Sequence, residues 1–205
     1  MKKTKQLILQ TAKTLFTEHG VAKVSIRQIA TEMGISHSNL IYHYKSKQAL
    51  LTGLHQQLLE AALEINQDFH KADELVRALH DSTQVGFRVL YDYRFFMIDL
   101  NYIMREHPTL HQTFLQIEEL RAKLYREVFT KGIATGYMRP PEYPNEYEQF
   151  IQRIRIFSDY WIPSAAIYDE TDADTIITQY VHTFMNMFYP YLTAKGKAEY
   201  LLVNQ

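Results

Sequence analysis

The 205-residue chain contains no cysteine, which excludes a disulfide framework and any thiolate nucleophile or metal ligand. It has no run approaching the ~18 consecutive apolar residues that a membrane-crossing helix requires. Met1-Lys-Lys-Thr-Lys5 before Leu7-Ile8-Leu9 has the beginnings of a secretory signal, but Gln10, Thr11 and Lys13 interrupt the apolar run and no small-residue cleavage site follows. The expectation is a cytoplasmic protein without a membrane segment. Strand signals are scarce, with little sustained alternation and no Asn-Gly turn. Catalytic signals are absent as well. None of the nine histidines has a glutamate three residues before it, so the ligand pairs of a di-iron helical bundle are missing. His107 and His111 are spaced i, i+4, but Pro108 places His107 outside the helix, and no phosphate-binding glycine loop or nucleophile motif occurs. These absences argue against an enzyme and imply no cofactor and no metal.

What is present is helical periodicity along nearly the whole chain, which makes the fold class all-α. The charge is unevenly placed. Residues 1–47 hold eight Lys/Arg (Lys2, Lys3, Lys5, Lys13, Lys23, Arg27, Lys45 and Lys47) against Glu18 and Glu32 alone. Of the chain's 22 basic and 23 acidic residues, 14 and 21 therefore fall after position 47, so a near-neutral whole divides into a basic head and an acidic body. That asymmetry is expected if only the head meets phosphate.

Within the head, Ser25 to Tyr44 reads as helix, sharp turn, helix. Ser25 followed by Gln28 has capping-box spacing, and Ile26, Ile29, Ala30 and Met33 recur on one helical face. Gly34 ends that helix, since glycine takes the left-handed conformation of a C-terminal turn. Ser36 caps the next helix, which turns Leu40, Ile41 and Tyr44 inward and leaves His37, Ser38, Asn39, Tyr42 and His43 outward. This is the plan of a helix-turn-helix, whose second helix enters a DNA major groove. Ahead of it, Leu7, Ile8, Ala12, Leu15 and Phe16 form the apolar face of a first helix closed by His19-Gly20.

In the body, Ser46-Lys47-Gln48 starts a long helix carrying Leu50, Leu51, Leu54, Leu58, Ala61, Ala62 and Ile65, with no linker between head and body. A helix follows from about Asp73 to Tyr91. Arg94 to Arg105 is apolar almost all round and is expected to be a buried helix. Pro108 opens a helix to about Lys131, and Gly132, Gly136 and Pro140-Pro141-Glu142-Tyr143-Pro144 form the one clear break. Two long helices follow, from about Asn145 to Tyr168 with Pro163 as an expected kink, and from about Asp172 onward, where acidic residues suit the helix N-terminus. The expected division is a helix-turn-helix head over 1–47 and a larger helical body over 48–205.

Leu15-Phe16-Thr-Glu18-His-Gly20, Ser25-Ile26-Arg27-Gln28-Ile29-Ala30, Gly34-Ile35-Ser36 through Leu40 to Tyr44, and Ser46-Lys47-Gln48-Ala49-Leu50-Leu51 together resemble the TetR family of bacterial transcriptional regulators, usually repressors. The resemblance covers residues 4 to about 55; the body adds Lys131-Gly132-Ile-Ala-Thr-Gly136-Tyr-Met-Arg139-Pro140. Where the family often has glycine in the recognition helix this chain has Ser38, and where it favours tyrosine after the leucine it has Ile41. The resemblance implies that His37, Asn39, Tyr42 and His43 lie in the groove of a double-stranded DNA operator. Independently, Asn pairs bidentately with adenine, and Tyr reaches a thymine methyl or a phosphate. Ser25, Ser36, Tyr42 and Lys47 stand at helix starts suited to phosphate, and Arg27 and Lys45 add positive charge. Lys2, Lys3 and Lys5 are either a basic arm or a solvated terminus.

The resemblance also implies a homodimer joined through the last two long helices, although a monomer core could use the same apolar residues. For the body, Tyr91, Phe96, Tyr102, Tyr125, Phe157 and Trp161 are candidate ligand contacts, because aromatic side chains line cavities between helices; they are equally the material of a core. Asp99 and Asn101 stand out as polar groups in an apolar segment, and a buried polar group needs a partner. Asp99 either pairs with an arginine such as Arg121 or Arg155, or orients a ligand. The functional expectation is a repressor of a palindromic operator, released by a small, largely apolar effector whose signal passes along the long helix from Ser46. An architectural DNA-binder without a ligand is the alternative.

Overall fold

The computed structural model describes residues 2–65 and 74–203, which form eleven α-helices and one 3-10 turn. The head comprises α1 (Lys2–His19), α2 (Ile26–Glu32) and α3 (His37–His43). The capping box forms as its spacing requires: Gln28 N donates to Ser25 Oγ at 3.2 Å and Ser25 N donates to Gln28 Oε1 at 2.7 Å. Gly34 takes φ 65°, the left-handed value that lets the chain reverse into α3 without a Cβ penalty. Ile8, Ala12, Phe16, Ile29, Ala30 and Leu40 are fully buried and join the three helices into one small core. One expectation fails in α1. Leu7 is 58% exposed and Leu9 is buried in its place. Its neighbour across the contact is Gly53, where a Cβ would meet Leu9 Cδ2 at 3.1 Å, so the next helix passes unusually close to α1.

That next helix, α4 (Lys47–Ile65), leaves the head directly and buries Leu50, Leu51, Leu54 and Leu58. The side chain of Ile65 and the start expected at Asp73 lie outside the described residues. α5 (Leu75–Asp92) packs on α4 and on two later helices, α10 (Ala173–Asn186) and α11 (Ala194–Val203). The segment expected as one buried helix from Arg94 is two, α6 (Arg94–Ile98) and α7 (Leu100–Glu106), interrupted at Asp99. Nor is it buried all round: Ile98 is 47% exposed and Asn101 faces solvent. At the junction the Asp99 carboxylate reaches the head, where its Oδ2 accepts from Val21 N at 2.6 Å, while its own N–H still donates to Phe95 O.

α8 (Pro108–Ala134) begins with proline in its first turn, as the sequence implies. α9 (Glu146–Tyr168) continues through Pro163. The Pro-rich break between them is pinned: Arg139 Nη1 and Nη2 donate to the buried Glu146 carboxylate at 3.0 and 2.6 Å. The guanidinium holds the Glu146 carboxyl down at about 2. α10 starts as expected, with Asp172 Oδ1 accepting from Asp174 N and Thr175 N. Beyond the expected helices lie the 3-10 turn Tyr189–Tyr191 and α11, whose Glu199 accepts from Arg77 N at 3.0 Å.

The centre of the body is a lattice of rings. Phe87 stacks on Trp161 at 4.7 Å between centroids and meets Phe184 edge-on at 5.4 Å. A second group joins Phe129, Phe150, Phe188 and Tyr191, with Phe150 and Tyr191 stacked at 4.3 Å. Each such side chain contributes on the order of 1.5–3 kcal/mol through burial, and favourable ring geometry adds to it. Among the described residues no helix is long and apolar enough to cross a membrane.

Candidate nucleic-acid interface

α3 presents its polar face to solvent because Leu40 alone anchors it deeply. His37, Ser38 and Asn39 are exposed, and Tyr42 is 72% exposed although it is a large aromatic. An exposed aromatic among polar groups on a short helix suits a surface that meets a partner. Ser36 caps α3 by accepting from Asn39 N at 3.2 Å, and its Oγ lies 3.1 Å from Ser38 Oγ. A hydroxyl that accepts from a backbone amide keeps its own proton to donate, so capping by Ser25 and Ser36 is compatible with phosphate contact. Arg27 and Lys45 are exposed on the same domain and make no ion pair among the described residues.

Two residues differ from expectation. His43, read as outward, is half-buried, edge-on to Tyr42 at 5.2 Å, and its buried Nδ1 has no hydrogen-bond partner among the described residues. Lys47 is half-buried, and its Nζ donates to Val21 O at 2.8 Å and Ala22 O at 3.5 Å. Burial lowers its pKa while the Asp99 carboxylate opposes the shift.

Val21 is held from both sides. Its carbonyl accepts from Lys47 at the start of α4, and its N–H donates to Asp99 Oδ2 at 2.6 Å, across 78 residues of sequence. Neither partner expected for Asp99 is the one it takes: the carboxylate at the α6–α7 junction fastens the α1–α2 turn. Around this point Phe16 meets Phe95 at 5.5 Å, and the Lys13 ammonium lies 4.0 Å from the Tyr93 ring centroid. Head and body are thus joined by a hydrogen-bonded latch as well as by α4. The latch was not legible in the sequence, because nothing local to Val21 marks its amide as needing a distant acceptor.

The other body candidates fall in separate places. Tyr91, Phe157 and Trp161 belong to the ring lattice, where the buried Trp161 Nε1 has no hydrogen-bond partner among the described residues. Phe96 is buried against Phe95 and the edge of His55 on α4. Tyr102 is half-buried against the core. Tyr125 packs beside Phe129 and Phe188 and borders a cleft between α8 and α9 with Arg121 and Arg155. No group of three His, Asp or Glu among the described residues could hold a metal ion.

A capped helix-turn-helix with an exposed polar face, continuous with a larger helical body, is the architecture of a DNA-binding transcriptional regulator. Residues 8–54 match the family described as bacterial regulatory proteins of the tetR family, and residues 54–200 match TetR, bacterial transcriptional repressor. The chain belongs to the TetR family of transcriptional regulators, a family that is not enzymatic. It is 27% identical over 146 residues to the HTH-type transcriptional regulator YerO of Bacillus subtilis, covering 68% of this chain and 50% of that protein. It therefore spans about half the length of the curated relatives it matches. Among solved structures, a TetR-family regulator from Marinobacter aquaeolei VT8 superposes with a TM-score of 0.81 at 21% identity, covering 98% of this chain and 97% of that one. A putative transcriptional regulator from Saccharomonospora viridis, solved in complex with choline, gives 0.74 at 17% identity over 91% and 97%. At these identities the likeness establishes the fold.

Proposed function

We propose that the protein is a ligand-responsive repressor that binds a palindromic operator as a homodimer and leaves it when a small, largely apolar effector binds the body. The observation that carries the DNA-binding half is the exposed face of α3, with His37, Asn39 and Tyr42 presented over a head whose unpaired cations include Arg27 and Lys45. In this reading residues 1–47 bind DNA in the cytoplasm and residues 48–205 receive the effector and dimerise. His43 and Lys47 support the surface from behind rather than reaching furthest from it. For the dimer, α9 gives the stronger support, since Ile156, Ile167 and Tyr168 are exposed on it; the outward positions of α10 are mostly polar, such as Gln179, His182 and Thr183.

Effector control is supported by the Asp99–Val21–Lys47 latch. A movement of α6 and α7 would change the setting of the α1–α2 turn, and a ligand shifts the DNA-binding arrangement only by its differential affinity for the two states. Small molecules occupy proteins of this fold: choline in the Saccharomonospora viridis regulator and triclosan in the SmeT complex. Selection of bound sites from random double-stranded DNA tests the reading. The expected result is a two-fold symmetric site with half-sites about one helical turn apart. Enrichment of an asymmetric single site overturns the dimer, and no enrichment at all overturns the sequence-specific reading.

A further inference from the structure

Between α7, the start of α8 and the middle of α9 lies an open cleft of about 570 Å³, within the size range of small-molecule sites. It contains none of the aromatic residues read as ligand contacts from the sequence. Leu100, Met104, Phe114 and Leu115 give it apolar walls. Asn101 Nδ2 donates to Tyr160 Oη at 3.0 Å across it, joining α7 to α9. On the α9 side stands Asp159, a half-buried carboxylate with no hydrogen bond and no ion pair among the described residues.

The charges around Asp159 decide which ligand the cleft favours. On α8, Arg121 is committed to Glu118, to which its Nη1 donates. That leaves Asp159 beside a second carboxylate whose counter-ion is already in use. Arg155, one turn earlier on α9, also acts on it through its charge but forms no ion pair among the described residues. The cations bordering the cleft itself are placed differently: Arg105 on α7 is 73% exposed and bridged to Glu106 at 3.0 Å, and His111 on α8 is exposed. An anion entering here would meet solvent-screened, already paired positive charge. A cation would meet an unpaired carboxylate in a partly desolvated wall, with the rings of Phe114 and Tyr160 also bordering the space and able to attract it.

Resting on the reading of the chain as a ligand-responsive regulator, we propose that this cleft binds a bulky apolar monocation, such as a lipophilic amine or quaternary ion, with Asp159 as its counter-ion. Burial, then Glu118, push the Asp159 carboxyl up to about 6, against the pull of Arg121 and Arg155. A group so shifted in a cleft, with an identifiable cause, is characteristic of a binding site. Cation affinity accordingly rises as pH increases through 6, where the carboxylate forms, and falls below it.

Tetraphenylphosphonium and tetraphenylborate have the same shape and opposite charge, so titrating each into the intact protein by calorimetry isolates the sign of the site. The cation is expected to bind at least tenfold more tightly than the anion. Asp159→Asn, checked for an unchanged thermal transition at pH 5, is expected to weaken the cation about tenfold, leave the anion unchanged and remove the fall in affinity below pH 6. Leu115→Trp, at the exposed mouth, should weaken the cation without unfolding the protein. Equal affinity for the two ions, or an Asp159→Asn or Leu115→Trp variant that binds the cation as the parent does, overturns the proposal. Adding each ion to the operator complex separates this site from the wider reading. Operator release by an uncharged compound while neither ion binds sinks the cleft and leaves the regulator. Binding through Asp159 with the operator complex undisturbed by any ligand sinks effector control and leaves the cleft.

Discussion

Head and body are both helical and share one continuous helix, α4, yet they are built by different kinds of interaction. In the head the defining contacts reach three or four residues: Ser25 with Gln28, Ser36 with Asn39, Gly34 at its turn. In the body they reach across the chain: Asn101 to Tyr160, Arg88 to Asp174, Arg77 to Glu199. The head keeps its most informative side chains outside, whereas the body buries Phe87, Phe129, Phe150, Trp161, Phe184 and Phe188 in a ring lattice. A helix-turn-helix must present one surface to a nearly invariant partner, the phosphate-lined duplex, so local rules suffice. The body has no such fixed partner surface, and its chemistry depends on which distant segments meet.

This contrast can be broken by substitution. The largest effect is expected in the body: Phe87→Ala removes the ring stacked on Trp161 and should cost about 3–5 kcal/mol in denaturant unfolding, while the protein that remains folded binds operator normally. A cost below about 1 kcal/mol would mean the ring lattice is not the body's core. Next come Asn39→Ala and Tyr42→Ala. Each should weaken operator binding by about 1–3 kcal/mol in a gel-shift or anisotropy titration, with the thermal transition unmoved because both side chains are exposed. Normal operator binding by both variants would show that α3 reads DNA with another face.

The smallest effect is expected where the two regions meet. Asp99→Ala leaves Val21 N–H without its acceptor and should cost about 1.5 kcal/mol of stability, the lower range for a bond to a charged group that is only part-buried. Unlike the other variants it should alter both measurements, since operator affinity changes with the setting of the α1–α2 turn. Asp99→Asn, which retains an acceptor oxygen, should recover most of the loss. A purely structural role for Asp99 would lower stability and leave the operator affinity of the folded protein unchanged.

Reading the sequence went furthest where signals are local. The capping box, the turn glycine, the Pro108 start of α8 and the Asp172 cap of α10 all stand where the residues indicated. It went wrong where burial depends on a neighbour supplied from elsewhere. Leu7 and Leu9 flank one helical stripe; Leu9 lies on the side that α4 approaches at Gly53 and is covered, and Leu7 is left exposed. Arg94 to Arg105 reads as one apolar helix, but Asp99 finds its acceptor role 78 residues away and the helix divides there. Asp159 was visible only as an acid one helical turn after Arg155, between Phe157 and Tyr160, which reads as an ordinary i, i+4 pair and not as a clue to the cleft. Its lack of a counter-ion could not be seen, because Arg121 is committed to Glu118 on another helix.

By itself, then, the sequence determined the all-α class, the capped head with its outward polar face, and the separation of basic from acidic halves. Periodicity, caps and charge act through bonded neighbours and survive whatever the chain later packs against. The tertiary structure decided which of many equivalent aromatics became core, where Asp99 and Lys47 spend their charges, and that an unpaired carboxylate borders an open cleft. Those outcomes depend on desolvation and on partners brought together from distant segments, and both exist only once the helices have packed.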